Sequence, residues 1–125
     1  MFINFTNHLY RSWSTEQTAA ANEYGEILDI PFPNVDPNGD ENYIHTLADK
    51  YVMQIIAYSP AAVLCQGEMT LAFAVASILM SKCGVIVLAA CSERIVTEVA
   101  AANGQTVKRA EFRFARFRKY GLRLN

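Results

Sequence analysis

Apolar and polar positions follow two periods along this chain. Phe2 to Thr6 is a short apolar run with Asn4 inside it and reads as a strand. Ser14-Thr15-Glu16-Gln17 has the spacing of a helix capping box, with Ser14 at the cap, and opens a short Ala-rich helix that Gly25 ends. Glu26 to Ile30 is a second strand, stopped by Pro31 and Pro33. After a loop with Pro37, Asn38 and Gly39, the apolar residues Ile44, Leu47, Ala48, Tyr51, Val52, Ile55 and Ile56 recur at helical spacing, so 41–58 is an amphipathic helix broken by Ser59-Pro60. Ala61 to Cys65 is a fully apolar strand. The helix that follows, roughly 68–82, is apolar nearly all round, which suits a buried position. Val85 to Ala90 is another apolar strand.

Beyond residue 90 the pattern changes. Arg94 to Val99 and Thr106 to Phe117 flank Asn103-Gly104, a strong hairpin signal. The second arm alternates through Ala110, Phe112 and Phe114, then shifts phase to reach Phe117, as at a β-bulge or a strand end. The order βαβαβαβ plus a hairpin predicts an α/β fold. Its apolar strands form a parallel sheet of order 2-1-3-4 with helices on both faces, and the C-terminal β-hairpin extends the edge beside strand 4.

A length of 125 residues allows one domain, and 52% apolar against 18% charged residues excludes global disorder. No apolar run reaches the ~20 residues that cross a bilayer. The start, Met1-Phe2-Ile3-Asn4-Phe5-Thr6, lacks the basic residues and cleavage site of a signal peptide. A cytoplasmic protein is therefore expected. The three cysteines fit no zinc spacing and read as reduced core thiols, with Cys91 placed where a strand ends. The net charge of −1 conceals a division. Residues 1–107 carry four Lys/Arg against eleven Asp/Glu, whereas residues 108–125 carry Lys108, Arg109, Arg113, Arg116, Arg118, Lys119 and Arg123 against Glu111 alone. This basic strip suits a phosphate-bearing ligand or the acidic face of a second subunit, or else keeps an edge strand soluble.

In such sheets ligands bind beyond the carboxyl ends of the strands, where the winding reverses. With order 2-1-3-4 that point lies between strands 1 and 3. The loops there are Thr6-Asn7-His8 and Gln66-Gly67-Glu68-Met69-Thr70, and Cys91-Ser92-Glu93-Arg94 after strand 4 forms a third wall. The second loop opens a helix whose free N–H groups face any bound anion, and Gly67 lets a ligand approach the backbone. Each position also has a plain structural use. Asn7 can close an Asx-turn, His8 can be an exposed loop residue, Gln66-Gly67 can be a tight junction, and Ser92 and Arg94 can pair locally. His45 falls on the polar side of its helix. The dinucleotide fingerprint, the phosphate-binding G-x-x-x-x-G-K-[ST] loop and the G-x-S-x-G elbow are all missing, and two distant histidines suggest no metal site and no cofactor.

Three stretches together resemble the small CRISPR-associated Rossmann-fold (CARF) proteins made of a single sensor domain. They are Asn4-Phe5-Thr6-Asn7-His8 followed by Glu16-Gln17, Val63-Leu64-Cys65-Gln66-Gly67-Glu68 before an Ala-rich helix, and Cys91-Ser92-Glu93-Arg94 leading through the hairpin to Arg116-Phe117-Arg118-Lys119-Tyr120. The resemblance spans nearly the whole chain. It implies a Rossmann-like three-layer sandwich that binds a cyclic oligoadenylate, cyclic tetra-adenylate foremost, as a homodimer. Neither duplex nucleic acid nor a membrane is an expected partner. Stand-alone members of this kind are often ring nucleases, which implies cleavage of the messenger. Carried over by position, the ligand contacts are Asn7, His8, Gln66, Gly67, Glu68, Thr70, Ser92 and Arg94, with His8, Ser92 and Arg94 in catalysis. Where many such proteins present a cation near the third-strand loop, this chain has Glu68, which suits a ribose hydroxyl or adenine amine, or a pairing with Arg94. Three other functions stay open: a sensor or sponge that binds the messenger uncut, an unrelated nucleotide-binding Rossmann-like protein, and an interaction protein acting through the basic hairpin.

Overall fold

The apolar segments pair in a computed structural model that describes residues 1–121; Arg123 of the basic strip lies outside the described residues. Strands β1 (Phe2–Phe5), β2 (Ile27–Asp29), β3 (Ala62–Cys65) and β4 (Ile86–Ala100) run parallel, and β5 (Thr106–Lys119) returns antiparallel along β4. The sheet order is β2-β1-β3-β4-β5, so the expected 2-1-3-4 arrangement is present within a mixed α/β fold. Because successive strand residues face opposite ways, each strand feeds two cores. Ile3, Phe5, Val63, Cys65 and Val87 pack with α2 (Glu41–Ile56) and α3 (Met69–Cys83). Phe2, Ala62, Leu64 and Leu88 pack on the other face with Ala21 of α1 (Thr15–Asn22), Trp13 and Phe117. Burial of each large side chain contributes about 1.5–3 kcal/mol.

Helix boundaries follow local chemistry. Ser14 Oγ accepts from the Gln17 N–H at 3.2 Å, and Asp40 Oδ1 accepts from the Tyr43 N–H at 2.9 Å. Gly84, at φ 63°, ends α3 in the left-handed conformation that favours glycine. No helix among the described residues is long and apolar enough to cross a membrane.

Two expectations need correction. The segment after strand 4 is not a loop: β4 runs without a break from Ile86 to Ala100, so the sheet has five strands and Cys91-Ser92-Glu93-Arg94 lies within one of them. Backbone pairing with β5 satisfies the N–H and C=O groups continuously, which no residue in this stretch interrupts. The phase shift seen in the sequence is a register shift at Cys91/Ser92. It turns Phe117 and Phe114 toward each other, with ring centroids 5.0 Å apart. The second correction concerns α3. Leu71, Val75, Ala76 and Leu79 are buried, but Met69 and Phe73 are 82% and 76% exposed, so the helix covers the sheet with one side only.

Candidate functional site

The site begins with a buried polar residue in an apolar strand. Asn4, only 1% exposed, donates from Nδ2 to Asp29 Oδ1 and to the His8 carbonyl, both at 2.7 Å, and accepts from Thr6 Oγ1 at 2.8 Å. Asp29 Oδ1 also accepts from the Tyr10 N–H at 3.1 Å, and Thr6 Oγ1 accepts from the His8 N–H at 3.2 Å. Every polar atom of the Asn4 side chain is thus engaged, as burial demands. The effect is to tie the end of β1 to β2 and to hold the 6–10 loop in one shape. Thr6, rather than Asn7, closes the turn, so the exposed Asn7 and His8 side chains project from a fixed backbone.

The end of β3 is set in a similar way. Backbone pairing of β3 with β4 stops at Leu64–Leu88, and Gln66 then supplies one more rung: its Oε1 accepts from the Ala90 N–H at 3.0 Å. This orients the Gln66 amide, whose nitrogen has no protein partner among the described residues and remains a donor. Tyr120 fastens the far end of β5 to the same corner, its backbone N–H donating to Val87 O at 2.9 Å and its hydroxyl to Cys65 O at 3.3 Å. Burial pushes the Tyr120 hydroxyl above its ordinary range, with Cys65 and Cys91 adding to the effect. Cys65 itself is buried, and burial pushes its thiol up to about 12, which leaves it an inert core residue.

Between these loops lies a cleft of about 540 Å³, within the ~300–1,000 Å³ common for small-molecule sites. Asn7, His8, Gln66, Gly67 and Ser92 of the expected residues line it together. Thr6, Ser12, Ser14 and Gln17 add further polar groups, and Trp13, Phe112 and Phe114 supply aromatic surface. His8 is the one ionisable side chain in this lining among the described residues. Sequence reasoning misses Trp13, Phe112 and Phe114. The alternation of Phe112 and Phe114 is visible in it, but only the β4–β5 register sets them opposite Arg94 and Ser92, on the face that borders the cleft.

The other expected residues are placed elsewhere. Arg94 is exposed on β4 and does not line the cleft, because the strand continues outward instead of turning over the sheet. Glu68 is the N-terminal cap of α3: its carboxylate accepts from the Thr70 and Leu71 N–H groups at 3.0 and 2.9 Å and lies 2.7 Å from Thr70 Oγ1. The helix end expected to hold an anion is therefore occupied by the chain's own carboxylate, and Thr70 is drawn into the same cap. Gly67 also has a packing reason. A Cβ there would stand 2.6 Å from the Phe32 ring, which stacks on Phe5 at a centroid distance of 4.8 Å. No group of three or more His, Cys, Asp or Glu among the described residues is arranged to hold a metal ion.

The cap makes a pH-dependent contribution. The Thr70 hydroxyl, then the Leu71 and Thr70 N–H groups, hold the Glu68 carboxyl below its ordinary value of 4.5. A lowered folded-state value stabilises the fold above the unfolded value and loses that effect as pH falls through the folded one. The melting-temperature gap between the wild type and Glu68→Gln is expected to narrow as pH falls from about 6 to about 3. A gap that stays constant across that range in thermal melts would show that the carboxylate does not cap the helix.

Residues 1–118 match the sequence model of a family described as the uncharacterized protein MJ1673 family. No curated protein and no solved structure matches the chain.

Proposed function

We propose that this chain, which belongs to the MJ1673 family, is a Rossmann-like nucleotide-binding protein. In this reading its cleft takes up a cyclic oligoadenylate, cyclic tetra-adenylate foremost, at the axis of a homodimer and cleaves it. The observation that carries the reading is the composition of the cleft. Uncharged donors and acceptors from the ends of β1 and β3 and from β4 face aromatic surface from the 3₁₀ turn (Tyr10–Ser12) that leads into Trp13 and from β5. Amides and hydroxyls of this kind suit base edges and ribose hydroxyls, and exposed aromatic rings suit base stacking, worth about 1–3 kcal/mol per base. Phe112, 74% exposed, has a free ring face for that purpose. A ring with an even number of adenylates can share a two-fold axis with a dimer, so both subunits make the same contacts.

Cleavage needs no group beyond this chain and the ligand. A ribose 2′-OH attacks the adjacent phosphorus in line, the P–O2′ bond forms, the P–O5′ bond breaks, and a 2′,3′-cyclic phosphate and a 5′-OH result. His8 moves the proton, since imidazole can take and give one near neutral pH. Gln66, Ser92 and Asn7 hold the in-line geometry, and Arg94 lies further out along β4.

A second reading, binding without cleavage, is supported by the absence of any Lys or Arg from the cleft lining among the described residues. Without a cation the charge that develops on the phosphate is stabilised less. Titration with cyclic tetra-adenylate, followed by chromatography of the products, separates the cases. Linear fragments ending in a 2′,3′-cyclic phosphate support the nuclease, tight binding with intact ring supports the sponge, and no binding overturns both.

A further inference from the structure

β4 leaves its parallel neighbour at Leu88 and continues for twelve residues paired only with β5. At about 3.3 Å per residue this two-stranded ribbon is roughly 40 Å long, longer than the body can cover. From Val96 to Phe112 every residue except Ala101 is exposed, including Val96, Val99 and Val107 at 52%, 43% and 53%. An isolated two-stranded ribbon is marginal in water, and apolar side chains on it call for a covering surface. The ribbon is also basic: β5 carries Lys108, Arg109, Arg113, Arg116, Arg118 and Lys119 against Glu111.

On the body, the N-terminal ends of α2 and α3 form a groove of about 410 Å³ with the opposite character. Its apolar floor is Ile44, Met69 and Phe73, its acidic rim is Asp40 and Glu41, and no Lys or Arg lines it among the described residues. Residues 1–91 as a whole carry three Lys/Arg against nine Asp/Glu. Both surfaces are on one chain, which identifies the occupant by charge and by hydrophobicity.

We propose that the ribbon tip of one copy docks in the α2–α3 groove of a second copy, and reciprocally, so that the homodimer is held by exchanged arms. This rests on the homodimer of the preceding reading and gives it a defined contact. Edge-to-edge pairing of two β5 strands is disfavoured, because it sets two rows of like charge against each other. Exchange sets each basic ribbon against an acidic rim, and the exposed valines of each ribbon against Met69 and Phe73.

The test is sedimentation of the full chain and of two surface variants. Lys108→Glu/Arg109→Glu reverses charge on the arm, and Phe73→Asp spoils the groove; both alter exposed positions, and far-UV circular dichroism checks that each variant is folded. The wild type is expected to be a dimer at micromolar concentration, with the dissociation constant raised at least about 100-fold in either variant. An equimolar mixture of the two is expected to dimerise again, because one intact arm then meets one intact groove. A wild-type dimer indifferent to both variants, or a mixture that fails to recover, overturns arm exchange while leaving the dimer standing. A monomeric wild type overturns both, including one whose ribbon retards single-stranded RNA in a gel.

Discussion

His8→Ala is expected to slow single-turnover cleavage of cyclic tetra-adenylate by about 10²–10⁴-fold, with little change in equilibrium affinity. The magnitude follows from the position of His8. It is the one ionisable side chain in the cleft lining among the described residues, and its backbone is held by Asn4 and Thr6. Loss of its imidazole thus removes the proton-transfer group without collapsing the loop. If His8 only donates a hydrogen bond to a phosphate, the same variant loses roughly 1.5–3 kcal/mol of affinity and little turnover once saturated. If cleavage and affinity both stay at wild-type values, His8 has no part in the site, and the burden falls on positioning by Gln66 and Ser92. Measuring both quantities on one preparation separates the three results.

Asn4→Asp is expected to destabilise the fold by about 3–5 kcal/mol at neutral pH, the scale of an uncompensated buried charge. The substitution is nearly isosteric. It replaces the amide that donates to Asp29 Oδ1 at 2.7 Å with a second carboxylate and removes the donor to the His8 carbonyl. Burial and the facing carboxylate both raise the folded-state pKa of the new acid. Its penalty therefore shrinks as pH falls through that raised value, where the introduced carboxyl is protonated and can donate to Asp29. Urea denaturation at pH 7 and at about pH 4.5 checks the sign. A variant as stable as the wild type at pH 7 would show that this network does not secure the loop. Ligand affinity should fall together with stability, because the tether that positions His8 is the bond being removed.

How legible the site is in the sequence depends on the range of the interactions that build it. Asn7, His8, Gln66, Gly67 and Ser92 lie in or beside short segments that end apolar strands, and strand ends at a reversal of winding are where clefts form. Arg94 is misplaced by the same reasoning, because a strand that ends and one that continues in a ribbon share the same local alternation. The difference lies in β5, whose Phe112 stands opposite Arg94 across the ladder. Glu68 shows a related limit. An acid just before a helix reads equally as a ligand contact or a cap, and only the closure of its carboxylate on the Thr70 and Leu71 N–H groups decides between them.

By itself the sequence determined the periodic features: strand and helix placement, the parallel order 2-1-3-4, the hairpin turn at Asn103-Gly104 and the phase shift before Phe117. Those depend on neighbours a few residues apart and on strong rules for connecting them. The tertiary structure alone decided where strand β4 stops, that Met69 and Phe73 are left uncovered, and that Trp13, Phe112 and Phe114 stand at the cleft. It also decided that Gly67 makes room for Phe32. The reason is that exposure and contact are set by groups distant along the chain. Periodicity shows which face of an element is apolar, whereas only packing shows whether anything covers it.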